Sequence, residues 1–183
     1  MILFLNACVK KESRTLRLAK YLLSKLNGTY EEVKLNEIDF PVADQAFLNR
    51  RDSLIAAGNY GDSMFKLAKQ FAGADEIVIA APYWDLSFPA SLKQYIEQIN
   101  VRGITFSYTP EGTPSGLCHA KRLTYVMTAG GMFVPEEYGY SYVRTLAQSF
   151  YGIPEVRLIK ATGLDIDGAD VESILHATED TIG

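Results

Sequence analysis

The sequence predicts an α/β fold in which a five-stranded parallel sheet of strand order 2-1-3-4-5 is covered by helices on both faces. Short apolar runs bounded by polar or turn residues are typical of buried strands. Segments with apolar residues at helical spacing lie between these runs. Buried strands that alternate with helices form a parallel sheet between two helical layers, and five strands suit the doubly wound order.

Five segments are predicted to be strands. Three short apolar runs lie at residues 2–5, 77–81 and 123–127, and none is long enough for a helix. Residues 156–161 form a weaker run, and the alternating, charge-rich residues 29–35 predict an edge strand.

The segments between the strands are predicted to be helices. Apolar residues at i, i+3 and i+4 spacing, or a proline at the first helical position, indicate where they lie. The predicted ranges are 16–26, 53–71 with an interruption at 58–61, 89–99, 142–150 and 170–181. Right-handed crossovers then bring the loop after every strand to one edge of the sheet, where ligands bind in such folds.

The composition is that of an ordinary globular protein. The chain suits a single domain over residues 1–183, in which the polar, glycine- and proline-containing residues 102–120 predict a hairpin or a lid. A net charge of −4 argues against a protein that binds nucleic acids. Two cysteines and two histidines predict neither a disulfide framework nor a metal site. Because no signal peptide or apolar span is evident, we expect a cytoplasmic protein with no membrane partner.

The loop after the first predicted strand contains no glycine, which excludes a Walker A loop and the dinucleotide glycine fingerprint. Ser13 and Thr15 lie at the start of a predicted helix, near Lys10, Lys11 and Arg14. Backbone N–H groups, hydroxyls and a helix N-terminus together favour an anion site. A capped helix with solvated basic residues explains the same pattern.

Two further loops reach the same edge of the sheet. Residues 82–89 place the only tryptophan, a tyrosine and a phenylalanine beyond a strand end, which suits a planar aromatic ligand or a hydrophobic clamp. Gly130 and Gly131 follow the next strand and allow close backbone approach to a ligand, although a plain turn also uses such a pair. A Cβ at Gly131 is expected to meet the ligand or to need an unfavourable backbone angle. The anion site, the aromatic wall and the glycine loop together predict a flavin mononucleotide (FMN) site.

Four segments resemble a known family. Residues 82–96 (PYWDLSFPASLKQYI) are similar to its pattern of proline, two bulky residues, asparagine and a Pro-x-x-Leu-Lys helix start. Residues 103–108, 128–131 and 150–153 are similar to its Gly-x-Thr-Phe-x-Tyr hairpin, Ser-x-Gly-Gly loop and Phe-x-Gly-Ile turn. The chain thus resembles, over nearly its whole length, the flavodoxin-like NAD(P)H oxidoreductases, the group of FMN-dependent azoreductases and NAD(P)H quinone oxidoreductases.

The resemblance implies a set of cofactor-binding residues. The FMN phosphate would be held by Ser13, Arg14 and Thr15. The ribityl chain and the ring would be lined by Pro82, Tyr83, Trp84, Asp85 and Leu86, and the pyrimidine edge would be reached by Thr128, Ala129, Gly130 and Gly131. The chain departs from the family at Asp85, where asparagine is usual, and at Ala7 and Cys8, where serine is frequent. An ionised Asp85 cannot donate a side-chain hydrogen bond.

The resemblance also implies an activity and an assembly. The chain would use NAD(P)H to reduce quinones, azo compounds or similar small-molecule acceptors in a two-electron ping-pong cycle, and no side chain is assigned as catalytic because the cofactor supplies the chemistry. The family's unit is a homodimer. Large apolar patches usually mark interfaces, and the chain carries spare aromatic residues near the ligand edge: Phe133, Tyr138, Tyr140 and Tyr142.

Three alternatives stay open at this point. Cys8 and Arg14 fit the Cys-x5-Arg pattern of a low-molecular-weight tyrosine phosphatase, although Glu12 would place a carboxylate in the phosphate site. An electron carrier of the flavodoxin type would need a glycine-containing phosphate loop. A flavin-bearing regulatory subunit of a larger assembly is the third.

Overall fold

The computed structural model describes residues 1–182 and contains one large parallel sheet. Its strands are β1 (Ile2–Asn6), β2 (Tyr30–Lys34), β3 (Glu76–Ala80), β6 (Arg122–Thr128) and β7 (Glu155–Ala161). A separate antiparallel hairpin consists of β4 (Phe106–Tyr108) and β5 (Pro114–Gly116). The large sheet has the order β2-β1-β3-β6-β7, so the predicted order 2-1-3-4-5 is confirmed once the hairpin strands are left out of the numbering.

Within residues 1–182, five α-helices lie between strands: α1 (Arg14–Lys25), α2 (Gln45–Ala56), α3 (Lys66–Ala72), α4 (Ala90–Ile99) and α5 (Tyr140–Thr145). A sixth, α6 (Val171–Glu179), follows β7. Aspartate or serine side chains cap several of them. Ser13 caps α1, Asp44 caps α2 and Asp170 caps α6, each by accepting a hydrogen bond from a backbone N–H in the first turn. None of the helices in residues 1–182 has the length and apolar character needed to cross a membrane.

Alternate residues of the central strands face opposite helical layers, which gives three layers. Leu3 and Leu5 of β1 point with Ile77 and Ile79 of β3 into a core formed with α3, α4 and α5. Ile2, Phe4, Val78, Ala80 and Val126 point to the other face and pack with α1 and α6. Central strands buried on both faces explain the short apolar runs in the sequence.

The predicted helix at 53–71 is wrong in part. The chain forms α2 from Gln45, a loop, a 3₁₀ turn at Ser63–Phe65, and only then α3. No residue of α2 is buried, so α2 has no apolar stripe from which residue periodicity could predict where it begins. Gly58 ends it with a left-handed φ of 66°.

The excursion at 102–120 forms the β4–β5 hairpin, which lies between the end of α4 and the start of β6. Its Gly116 packs against the turn that precedes β7, where a Cβ would lie 2.1 Å from the backbone nitrogen of Gly152. Both neighbours place the hairpin at the amino edge of the sheet, opposite the edge where the parallel strands end.

Candidate functional site

The loops that follow β1, β3, β6 and β7 enclose an open cleft of about 240 Å³ at the carboxyl edge of the sheet. Its lining consists of Val9, Lys10, Glu12, Ser13, Arg14, Thr15, Pro82, Tyr83, Trp84, Thr128, Ala129, Gly130, Leu164 and Asp165. All of the predicted site residues line this cleft except Asp85, Leu86 and Gly131, which follow lining residues in the chain. The topology therefore brings together four loops from different parts of the sequence, the three that were predicted and the loop after β7.

The first loop supplies hydrogen-bond donors at the start of α1. Ser13 Oγ accepts from the backbone nitrogen of Leu16 at 3.2 Å, so the capped-helix interpretation is correct. The backbone N–H groups of Arg14 and Thr15 have no acceptor within residues 1–182. A helix N-terminus with free N–H groups that opens onto a cleft favours an anion there.

Thr15 lies at the floor of the cleft and is almost fully buried. Its Oγ1 is 2.6 Å from Oγ1 of Thr128, which joins the first loop to the loop after β6. One hydroxyl of such a pair donates to the other, so the pair retains one proton for a ligand.

Arg14 is engaged by the loop after β7. Its Nη1 donates to Oδ1 of Asp165 at 2.6 Å and to the carbonyl of Leu164 at 3.1 Å. Both side chains of the ion pair are substantially exposed, with 40% of Arg14 and 69% of Asp165 accessible. The guanidinium thus lies across the mouth of the cleft rather than free in solvent.

A tight turn shapes the loop after β3. Trp84 and Ser87 exchange two backbone hydrogen bonds of 3.1 and 2.8 Å, and the two residues between them, Asp85 and Leu86, have φ angles of 51° and 66°. Two successive left-handed residues define a type I′ turn. The turn leaves Trp84 and Leu86 exposed and turns Asp85 away from the cleft lining.

Tyr83 is held in place from two sides. Its backbone nitrogen donates to the carbonyl of Thr128 at 3.0 Å, and its hydroxyl donates to the carbonyl of Pro135 at 3.1 Å. Desolvation raises the pKa of the Tyr83 phenol, with a smaller contribution from the nearby Glu137 carboxylate. The ring is therefore a neutral, fixed wall of the cleft at physiological pH.

The two glycines after β6 have different roles. A Cβ on Gly130 would lie 2.3 Å from Oδ2 of Asp165, whereas a Cβ on Gly131 would meet no heavy atom within 4 Å. Gly131 does not have a left-handed φ, so its backbone angle does not require glycine, and contact between a Cβ at this position and the ligand stays a prediction. The N–H groups of both glycines find no acceptor within residues 1–182, and they remain available as donors.

The loop after β7 was not predicted as part of the site. Its backbone nitrogens at Gly163, Leu164 and Asp165 donate to the carbonyls of Gly131, Ala129 and Gly130 at 3.0 to 3.2 Å. The same topological rule that selected the other loops applies to the end of this strand, and the left-handed Gly163 and Gly168 mark it as a shaped loop.

The phosphatase arrangement of Cys8 and Arg14 is not assembled. Cys8 is buried, and burial raises the pKa of its thiol to about 11, an effect that a hydrogen bond from Ser13 offsets only in part. A neutral thiol is a poor nucleophile, and Arg14 is occupied by Asp165. Residues 1–182 contain no group of three or more His, Cys, Asp or Glu side chains placed to hold a metal ion.

The aromatic residues predicted for an interface divide into two pairs. Phe133 and Tyr138 are exposed by 80% and 62%. Tyr140 is buried and its ring centroid lies 6.0 Å from that of Tyr125, so the expectation that it is spare is wrong. Tyr142 is partly buried against Phe88. Five exposed apolar side chains lie in the loops after β3 and β6, which border the cleft. We call them the apolar rim: Trp84, Leu86, Met132, Phe133 and Tyr138.

A larger groove of about 950 Å³ lies beside the edge strand β2, between that strand, α2 and α3. Its lining includes residues of both charges but none from the loops after β1, β3, β6 and β7. The carboxyl-edge cleft is smaller, yet it is the one where unpaired backbone donors and fixed aromatic side chains converge.

Comparison with known proteins shows which family and which fold this chain resembles. A family model described as a flavodoxin-like fold matches residues 1–182. A protein of Clostridium perfringens named FMN-dependent NADH:quinone oxidoreductase is 36% identical over 180 residues, which cover 93% of this chain and 90% of that protein. A second such protein, from Clostridium acetobutylicum, is 37% identical over an alignment of 188 positions, which covers 97% of this chain and 93% of that protein. The crystal structure of an azoreductase from Bacillus anthracis matches with a TM-score of 0.85 and 24% identity over 99% of this chain and 95% of that one, which supports the fold.

Proposed function

This chain belongs to the flavodoxin-like family, and we propose that it is an FMN-dependent NAD(P)H oxidoreductase that reduces quinones, azo compounds or similar acceptors. Its curated relatives of 36% and 37% identity are named FMN-dependent NADH:quinone oxidoreductases. The observation that carries the proposal is the cleft at the carboxyl edge, where free N–H groups at the start of α1, a fixed aromatic wall and two glycine N–H groups converge.

The residues present fit FMN. Its phosphate would be held by the N–H groups of Arg14 and Thr15 and by the side chains of Ser13 and Lys10. The isoalloxazine ring would lie against Tyr83 and Trp84. The polar pyrimidine edge would face the N–H groups of Gly130 and Gly131. Bound there, FMN supplies hydride transfer chemistry.

The chain's own contribution is binding, orientation and electrostatics. The N–H donors of Gly130 and Gly131 favour negative charge at the adjoining edge of the ring, and they are held ready because their carbonyls are fixed by the loop after β7. No side chain of the cleft needs to move a proton for hydride transfer. Since one cleft serves both substrates, the nucleotide must leave before the acceptor enters, which predicts ping-pong kinetics.

We further propose a homodimer. The apolar rim leaves large side chains in solvent beside the cleft, and such a patch usually marks an interface. A second copy packed over the rim would cover these side chains and enclose the cleft in one step. Light scattering should give about twice the 20.3 kDa of one chain. A monomer with full reductase activity at nanomolar concentration contradicts this assembly.

The single domain over residues 1–183 and the cytoplasmic location stay predictions.

The visible spectrum of the purified protein tests the function. We expect a yellow protein with an oxidised flavin spectrum, or a colourless one that acquires it on addition of FMN, and NADH oxidation that depends on an added quinone. A colourless protein that cannot be reconstituted overturns the proposal. Bound FMN without any NADH or NADPH oxidation favours an electron carrier or a regulatory subunit instead.

A further inference from the structure

The loop after β7, residues 162–169, contributes Asp165, a carboxylate of the cleft lining whose charge opposes the proposed phosphate and which pairs with Arg14. Three backbone hydrogen bonds from Gly163, Leu164 and Asp165 attach this loop to residues 129–131. Leu164 is almost fully buried beneath the cleft, while Asp165 projects at the surface. The loop therefore presents a carboxylate at a defined place on the mouth of the cleft.

The Asp165 carboxylate is bound by Arg14 and lies close to the backbone of Gly130. Oδ1 accepts from Nη1 of Arg14 at 2.6 Å, and Oδ2 lies where a Cβ on Gly130 would be 2.3 Å away. Gly130 is thus the residue that leaves room for the carboxylate. Because Arg14 also donates to the carbonyl of Leu164, its guanidinium is bound entirely by the loop after β7 and not by the loop that carries it.

Arg14 is also the cation that begins α1, where the proposed phosphate site lies. The charged side chains of the cleft lining are Lys10 and Arg14, against Glu12 and Asp165, so the lining as a whole is neutral. A phosphate dianion that enters this site gains a full cation from Arg14 only if the bond to Asp165 is given up. Because both partners of the pair are exposed to a large extent, the pair is weak enough for a phosphate, which an arginine can bind through two parallel hydrogen bonds, to displace it.

We propose that Asp165 is a built-in competitor of the flavin phosphate for Arg14. The carboxylate keeps the guanidinium ordered across the mouth of the cleft and yields it when the phosphate binds. Asp165 therefore lowers the affinity for FMN but not for riboflavin, which carries no phosphate. This proposal rests on the proposed function, since it concerns the same cleft.

Asp165→Asn tests it, because it removes the charge and keeps the shape. The matched control is Asp167→Asn, which makes the same charge change two residues further along the same exposed loop, at a side chain with no ion pair in residues 1–182. Titration of the apoprotein with FMN and with riboflavin should show that Asp165→Asn binds FMN about fivefold more tightly, an effect of the size of an exposed ion pair. Riboflavin affinity, and both affinities of the control, should stay unchanged.

The Arg14→Gln background separates competition from simple repulsion. If Asp165 acts through Arg14, Asp165→Asn has little effect on FMN affinity once Arg14 is absent. An equal gain with and without Arg14 overturns the proposal in favour of repulsion, and weaker FMN binding by Asp165→Asn overturns it in favour of a carboxylate that only positions Arg14. An unmodified chain that binds neither flavin overturns the proposed function and this inference with it, whereas FMN binding that Asp165→Asn leaves unchanged overturns the inference alone.

Discussion

The two edges of the parallel sheet differ in how their backbone polar groups are bonded. At the amino edge, the β4–β5 hairpin meets the turn before β7 through the glycine pair Gly116 and Gly152, and backbone groups there bond to one another, as from Cys118 to the carbonyl of Tyr151. At the carboxyl edge, N–H groups at Arg14, Thr15, Gly130 and Gly131 have no partner within residues 1–182, and two residues other than glycine have left-handed backbones. At the amino edge the backbone groups of the hairpin and the turn bond to one another, whereas the carboxyl edge leaves backbone donors available for a ligand.

The largest expected effect is on stability, at the amino edge. Gly116→Ala would place a Cβ 2.1 Å from the backbone nitrogen of Gly152, and neither backbone can move without separating the hairpin from the turn. We expect a loss of about 3 kcal/mol in the free energy of unfolding, measured by urea denaturation. Gly61→Ala is the control, since its Cβ would meet only Asn59 at 3.6 Å. Equal stability of the two variants would remove the contrast between the edges.

The next effect is on cofactor binding, at the carboxyl edge. Replacing Ser13 and Thr15 together by alanine removes two hydroxyls from the start of α1, and each hydrogen bond to a charged group contributes about 1.5–3 kcal/mol before compensation. We expect FMN affinity to fall by at least tenfold, with little change for riboflavin. Because Ser13 also caps α1, Asp170→Ala, which removes the cap of α6, serves as the control for lost stability. Unchanged FMN affinity in the double variant would show that the phosphate lies elsewhere.

The paired glycines after β6 allow a finer test. Gly130→Ala would push the Asp165 carboxylate from its place and shift the loop that orders the donors, whereas Gly131→Ala has open space around its Cβ. We expect Gly130→Ala to lower riboflavin affinity by about tenfold, in line with a modest overpacking cost, because riboflavin has no phosphate and gains nothing from an Arg14 that Asp165 releases. Circular dichroism should show that the fold is retained. Gly131→Ala should have the smaller effect. The reverse order would mean that the ring lies against Gly131 and that crowding at Gly130 does not disturb the donors.

The smallest effect concerns the type I′ turn after β3. Leu86 has a φ of 66° and an exposed side chain, and a left-handed conformation costs a residue other than glycine roughly 1–2 kcal/mol. Leu86→Gly relieves this strain but increases the entropy of the unfolded chain, so we expect a net stabilisation of about 0.5 kcal/mol. Thermal denaturation of the apoprotein checks it. A destabilised variant would show that the Leu86 side chain contributes packing that outweighs the strain.

The sequence predicted the central sheet well because the physical signal there is direct. Strands β1, β3 and β6 are buried on both faces, so most of their residues are apolar and the runs stand out. It predicted α2 poorly because that helix buries no residue. It predicted the exposure of the aromatic residues after β6 only in part. Both Tyr140 and Phe133 are large aromatic residues in the same segment, but Tyr140 is buried against Tyr125 while Phe133 is exposed, and this difference depends on the path of the chain between them.

By itself the sequence determined the order of the five strands in the large sheet, the edge at which a ligand is expected and three of the four loops that meet there. These follow from local patterns and from the handedness of the crossovers, which hold for any chain of this kind. Only the tertiary structure decided that Arg14 is bound by Asp165, that Gly130 rather than Gly131 is the crowded glycine, and that Cys8 is a buried, neutral thiol. Each of these depends on the approach of residues more than 30 positions apart, and the spacing of residues along a chain does not encode the distance between side chains in space.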